Sequence, residues 1–154
     1  MKIIVDDDIT IFLCKDYVKR IDINNKESIE NFIKKINDNY SINLEGCLDI
    51  NIYRDIYYGL IINIKKDFDY FDYFKNDIEM NIKIEDSIFL YKIENIDKYL
   101  LDNMTIYKDK ENIYIKPNSK IFLGKIIENS KVIYGDMAKR IIKTSKIINT
   151  EVII

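Results

Sequence analysis

Two patterns and the composition predict an α+β fold, with antiparallel sheet covered by short helices. Apolar and polar residues alternate in several stretches, which is typical of strands buried on one face only. The stretch 26–38 instead spaces its apolar residues as a helix does. The chain has 154 residues, 47% of them apolar and 32% charged, enough for a core and a solvated surface.

Residues 2–5 and 9–14 are predicted to form an opening hairpin. Both runs are apolar and rich in β-branched residues, and the turn between them is the acidic triplet Asp6–Asp8. Three consecutive Asp cannot all face one ion from a regular element, so we prefer a turn to a metal site. Residues 15–23 are less regular and are predicted to be a connection.

Residues 26–38 are predicted to form the clearest helix. Asn24 or Asn25 is suited to cap it, and Glu27 lies in the first turn, where the helix dipole favours an anion. The apolar stripe of this helix follows the spacing i, i+3, i+4, i+7 and consists of Ile29, Phe32, Ile33 and Ile36. We expect this stripe to cover the apolar face of the next hairpin.

That hairpin lies within residues 41–65, the most regularly alternating stretch of the chain. One face of its first strand carries Leu48, Ile50 and Ile52, and the other face is mostly polar. A turn around 55–59 separates this strand from a second one with the same alternation. Cys14 and Cys47 fall in predicted strands, where buried free thiols are expected rather than a disulfide.

Residues 67–77 combine aromatic and acidic side chains. The three Phe of this segment recur at every third position, at Phe68, Phe71 and Phe74. One interpretation is a connector that buries the three Phe. Another is a partner-binding segment that leaves Tyr70 and Tyr73 exposed. A third is a divalent-metal site formed by carboxylates among Asp67, Asp69, Asp72 and Asp77.

The second part of the chain is predicted to mix short strands and helices. Strands are expected at 78–84, 88–92, 105–107, 113–115, 131–134 and 147–154, and helices at 94–102, 120–128 and 136–145. Asp136 is a candidate N-cap of the last helix, and Pro117 marks the end of a hairpin. We expect a single compact unit over 1–154, or halves 1–66 and 78–154 joined by the 67–77 connector.

The composition argues against several classes of function. The chain has no His, which removes catalytic triads and His-ligated zinc, and its four Gly form no phosphate-binding loop. The net charge is −2 with both signs interleaved, which argues against nucleic-acid binding. No apolar run is long enough to span a membrane. We therefore expect a cytoplasmic protein without cofactor, metal or enzymatic activity.

Short motifs resemble the MecA-type adaptor proteins of low-GC Gram-positive bacteria. The first half shares the pattern Leu44, Glu45, Gly46, Leu48 and Ile50, followed by Gly59 and Leu60 with Ile62 and Ile64. The later part is similar through Ile93–Ile96, Ile106–Lys108 with Tyr114, and Lys146–Ile148. The resemblance implies a protein that delivers substrates to a Clp-type AAA+ unfoldase. The first half would bind the substrate and the second half the unfoldase.

The resulting hypothesis is a non-catalytic protein-binding module, such as an adaptor that delivers substrates to an AAA+ protease. Aromatic residues that the alternation leaves on the polar side are the predicted partner-binding site, which comprises Arg54, Tyr57, Tyr58, Tyr70 and Tyr73. The alternative is a phage or mobile-element protein that inhibits a host machine by direct binding. The sequence does not predict the oligomeric state.

Overall fold

The computed structural model describes residues 1–66, 79–94, 104–118, 126 and 130–148. The connector 67–77, most of the predicted helices 94–102 and 120–128, and the end of the predicted strand 147–154 lie outside these residues. The chain forms two compact units, one of residues 1–54 and 59–85 and one of residues 55–58 and 86–154. The fold is α+β, as predicted: each unit contains a five-stranded sheet and short helices.

The sheet of the first unit has the order β1-β2-β4-β3-β5. Its strands are β1 Lys2–Val5, β2 Ile9–Cys14, β3 Cys47–Asp55, β4 Gly59–Lys66 and β5 Glu79–Asp86. Strand β2 pairs antiparallel with β1 on one side and with β4 on the other. All five strands were correctly predicted, β1 and β2 from their β-branched composition and the other three from alternation.

Strand β5 lies beside β3 and runs in the same direction. The Cys47 thiol bonds to the Glu79 carboxylate at 3.3 Å, and the Asn81 amide bonds to the Asp49 carboxylate at 3.4 Å. Both contacts join residues 32 positions apart, as expected for a parallel pair but not for an antiparallel one. The sequence predicted the strand but not this direction, which depends on the connection rather than on the strand's own residues.

Two helices belong to the first unit. Helix α1, Lys15–Val18, falls in the stretch predicted to be a connection. Helix α2, Lys26–Tyr40, confirms the predicted helix and extends it by two residues. Its N-cap is Asn25, whose side-chain oxygen accepts a hydrogen bond from the Glu27 amide at 3.0 Å.

The core of the first unit lies between α2 and one face of its sheet. Ile33 of the helix is fully buried, and the inward residues of the strands surround it: Ile9, Ile11, Leu13, Leu48, Ile50, Ile52, Leu60, Ile62 and Ile64. The prediction of buried thiols is wrong for Cys14, which is exposed, and Cys47 is half-buried. Cys14 follows the inward Leu13, so the alternation turns its side chain outward.

The sheet of the second unit has the order β10-β7-β8-β6-β9, and every pair in it is antiparallel. Its strands are β6 Leu90–Ile93, β7 Met104–Asp109, β8 Asn112–Pro117, β9 Lys131–Ile133 and β10 Lys146–Ile148. The predicted hairpin ending at Pro117 is confirmed as β7 and β8.

Helix α3, Gly135–Thr144, confirms the predicted last helix, but its N-cap was wrongly predicted. The cap is Tyr134, which makes no side-chain cap bond, because the helix begins one residue earlier than expected. Asp136 lies in the first turn and its carboxylate is 3.8 Å from the Lys139 ammonium. None of the helices within the described residues is long and apolar enough to cross a membrane.

Candidate functional site

The predicted tyrosine tip is the turn between β3 and β4, residues 54–58. Asp55 organises it: one carboxylate oxygen accepts hydrogen bonds from the amides of Tyr57 and Tyr58, each at 2.8 Å. This arrangement is an Asx turn, which Asp favours. The other oxygen accepts a bond from the Phe89 amide at 3.1 Å, so the same carboxylate also fixes the start of β6.

The structure places the tip residues differently from the prediction. Tyr58 was expected on the wet side, but only 8% of it is exposed, and its ring centre lies 5.3 Å from that of Phe89. Tyr57 is half-buried and its hydroxyl donates to the Asn118 carbonyl at 2.9 Å. Arg54 is half-buried as well. The exposed apolar residue of this turn is Ile56, 70% exposed, which the sequence pattern did not single out.

Tyr70 and Tyr73 lie outside the described residues, as do the four carboxylates of the alternative metal site. The structure therefore brings Arg54, Tyr57 and Tyr58 together in one turn and leaves the grouping of all five residues untested. A role of these residues in partner binding stays a prediction.

Tyr91 lies in the second unit close to Asp55 and Tyr58. It is 1% exposed, and its hydroxyl has no hydrogen-bond partner in the described part of the chain. Burial raises the pKa of Tyr91 above its ordinary value, and the charges of Asp55 and Tyr58 raise it further. This hydroxyl therefore stays neutral where an exposed tyrosine ionises.

The candidate binding site of the first unit is a groove beside helix α2. We call it the α2 groove; its volume is about 350 Å³, and it is lined by Arg20, Ile21, Asn25, Glu27, Ser28, Asn31, Phe32 and Lys35. One wall is the side of α2, and the other is the segment between α1 and α2.

Local hydrogen bonds fix the wall that precedes α2. The amide of Arg20 donates to the Tyr17 carbonyl at 3.1 Å, which continues the turn of α1. The Ser28 hydroxyl accepts a bond from the Asp22 amide at 3.1 Å, and this bond ties the segment to the first turn of α2. The groove is therefore a formed feature with hydrogen-bonded walls.

The α2 groove combines an apolar floor with a basic rim. Ile21 and Phe32 are half-buried and pack against the core of the first unit. Arg20 and Lys35 are exposed, and the Arg20 guanidinium lies 5.3 Å from the centre of the Tyr17 ring. Neither cation has a carboxylate partner among the residues that the structure describes.

Sequence reasoning missed the α2 groove for a specific reason. Phe32 was assigned to the core stripe of α2, whereas it also borders a second stripe formed with Ser28 and Lys35 at positions i, i+4 and i+7. Arg20 belongs to the stretch predicted to be an irregular connection. The second stripe was the feature of the sequence that could have indicated the α2 groove, but the sequence did not show which segment lies opposite it.

No family model matches the sequence, and neither a curated protein nor a solved structure is detectably similar to it.

Proposed function

We propose that this chain is a non-catalytic protein-binding module whose first unit takes a short segment of a partner protein in the α2 groove. The observation that carries the proposal is the pairing of an apolar floor, Ile21 and Phe32, with two exposed cations, Arg20 and Lys35, that have no carboxylate partner among the residues that the structure describes. A groove of this kind suits an extended peptide with one apolar side chain beside acidic ones.

The volume of the α2 groove and the charges on its rim limit which peptides fit it. A volume of about 350 Å³ is at the small end of ligand sites, and it accommodates one or two side chains better than a large cofactor. Acidic residues of the peptide would meet Arg20 and Lys35, while Glu27 on the same rim disfavours a uniformly acidic ligand. The expected sequence is therefore mixed, with an apolar anchor flanked by Asp or Glu.

The finer proposal is an adaptor that delivers substrates to an AAA+ protease. The resemblance to MecA-type adaptors implies that substrate binds to the first half of the chain, and the α2 groove belongs to the first unit. The predicted tip residues Arg54, Tyr57 and Tyr58 are then candidates for a second contact.

Fluorescence anisotropy with a labelled hexapeptide that alternates Leu and Asp tests the peptide site. The double variant Arg20→Glu, Lys35→Glu should weaken binding at least tenfold, because each exposed ion pair contributes up to about 1 kcal/mol and reversal adds repulsion. The matched control is the double variant Lys34→Glu, Lys83→Glu, which reverses two exposed charges outside the groove and should leave binding nearly unchanged.

Equal binding by the double variant and the control would remove the α2 groove from the proposal. Affinity capture from the native host with the same proteins then identifies the partner. Recovery of a protease unfoldase together with its substrates supports the adaptor, whereas recovery of one host enzyme in an inactive state supports the alternative of an inhibitor.

A further inference from the structure

Strand β1 is at the edge of the sheet of the first unit, and none of the described strands pairs with its outer side. The amide of Asp6 donates to the Asp8 carbonyl at 3.0 Å, one step beyond the last pair of the β1–β2 ladder. Bonded and non-bonded pairs alternate along an antiparallel ladder. The N–H and C=O groups of Ile3 and Val5 therefore point away from β2, towards the open edge.

The side chains of this edge are apolar and exposed. Val5 is 61% exposed and Ile4 is 42% exposed, on opposite faces of the sheet. Soluble proteins usually protect such an edge, because unpaired backbone groups beside aliphatic side chains recruit another strand. The edge of β1 thus has both the backbone groups and the apolar surface that strand pairing uses.

We infer that β1 pairs antiparallel with β1 of a second copy of this chain, on a two-fold axis at Ile4. In this register Ile3 lies opposite Val5 of the second copy, and Lys2 lies opposite Asp6 of the second copy. The segment Lys2–Asp6, KIIVD, is self-complementary about its centre: a cation at one end, an anion at the other and aliphatic residues between.

Symmetry and hydrogen bonding restrict the register to three choices, and the charges select one of them. A two-fold axis between antiparallel strands keeps the faces of both sheets aligned, so each residue opposes one of the same parity. An axis at Ile3 or at Val5 also satisfies this condition, but only the axis at Ile4 places Lys2 beside Asp6 twice. In each of the three registers the bonded pairs use the groups of Ile3 and Val5 that point to the open edge, and with the axis at Ile4 these two residues bond to one another.

The interface is short, so the dimer is weak. We expect it to be populated at roughly 100 µM protein and dissociated near 1 µM, as for contacts well below the size of standard interfaces. Binding at the α2 groove uses other residues, and the variant Arg20→Glu, Lys35→Glu should still dimerise. Failure of the peptide site and failure of the dimer are therefore distinguishable.

Sedimentation velocity of the full chain over this concentration range tests the pairing. Lys2→Asp and Asp6→Lys should each shift the dimer to monomer, since each places like charges opposite one another. The swap Lys2→Asp, Asp6→Lys should restore it. The control Lys83→Asp reverses a charge on β5, at the opposite edge of the same sheet, and should not change the dimer.

Cysteine cross-linking, done at a concentration where the dimer is populated, reports the register of the pairing. In a Cys14→Ser, Cys47→Ser background, Ile4→Cys should form an intermolecular disulfide, because Ile4 faces its own copy across the axis in a close, non-bonded pair. Val5→Cys should cross-link much less. A wild-type chain that remains monomeric at the highest concentration, a charge swap that fails to restore the dimer, or equal cross-linking at both positions overturns the inference.

Discussion

The two units are stabilised by different kinds of side chain. In the first unit every buried member of the main core cluster is Ile, Leu or Met, and none of them carries a polar atom that needs a partner. In the second unit the described cluster includes Tyr107 and Tyr114, while Tyr58 and Tyr91 are also buried. Buried tyrosines bring polar atoms to the core, and the Tyr91 hydroxyl is fully removed from water.

This difference predicts which kind of substitution destabilises each unit most. An aliphatic core depends on volume and on how closely the backbones approach, so added or removed atoms should damage the first unit most. The second unit depends in addition on polar anchors, such as the Asp55 carboxylate and the Ser87 hydroxyl, which accepts a bond from the Gly135 amide at 2.9 Å. Loss of an acceptor should therefore damage the second unit most.

Gly59→Ala should have the largest effect, in the first unit. Gly59 has φ +127°, and an added Cβ would lie 2.3 Å from the Leu13 carbonyl oxygen and 2.9 Å from the Cys14 carbonyl carbon. These are backbone atoms of β2, so the β2–β4 pairing must shift. We expect a loss of more than about 4 kcal/mol in the free energy of unfolding, measured by urea denaturation.

Gly46→Ala is the matched control for this change. Gly46 also has a positive φ, +78°, but an added Cβ would meet no atom within 4 Å. Only the conformational term remains, and a loss of about 1 kcal/mol is expected. Equal losses at the two positions would mean that close backbone approach does not limit the first unit.

Asp55→Ala should have the next largest effect, in the second unit. It removes the acceptor of the Tyr57, Tyr58 and Phe89 amides, and we expect a loss of about 3 kcal/mol. Asp55→Asn retains one oxygen for the turn but loses the charge and one acceptor, and should cost less, roughly 1 to 2 kcal/mol. Urea denaturation separates the two variants, and amide hydrogen exchange at Phe89 tests the lost acceptor in each of them.

Rapid exchange at Phe89 in both variants, with slow exchange in the wild type, is the expected result. If exchange there is unchanged in Asp55→Ala, the carboxylate does not anchor the start of β6, and the proposed contrast between the units loses its main support.

The spacing of apolar residues correctly predicted individual strands and helices and the faces that they bury. The alternation of Leu48, Ile50 and Ile52 correctly gave β3 and its inward face, and the stripe of α2 gave the helix that covers it. Alternation does not report what lies against the opposite face or beyond a turn. It therefore assigned Tyr58 to solvent, although Phe89, more than 30 residues away in the chain, covers it.

The α2 groove and the direction of β5 were missed for the same physical reason. Both depend on where a connection places one segment against another, and no residue within either segment encodes that placement. The edge of β1 is different, because the self-complementary charges of Lys2 and Asp6 are visible in the sequence. These charges indicate pairing with a second copy only when the sheet order shows that β1 is an edge strand.

Tyr91→Phe should have the smallest effect and the opposite sign. The Tyr91 hydroxyl is buried without a partner among the described residues, so its removal relieves an unsatisfied polar group and should stabilise the protein by about 1 kcal/mol at pH 7. Tyr57→Phe is the control. It removes a hydroxyl that donates to the Asn118 carbonyl, and should destabilise the protein by roughly 1 kcal/mol.

The stability of Tyr91→Phe relative to the wild type should increase at alkaline pH. The unfolded chain ionises this tyrosine near its ordinary pKa of 10.0, whereas burial raises the pKa of the folded form. Above pH 10 the folded protein therefore binds more protons than the unfolded chain, and wild-type stability falls relative to the variant by up to about 1.4 kcal/mol per pH unit. Urea denaturation of both proteins at pH 9, 10 and 11 measures this slope. A constant difference would show that the Tyr91 hydroxyl reaches solvent, and that the second unit carries no unpaired polar group at this position.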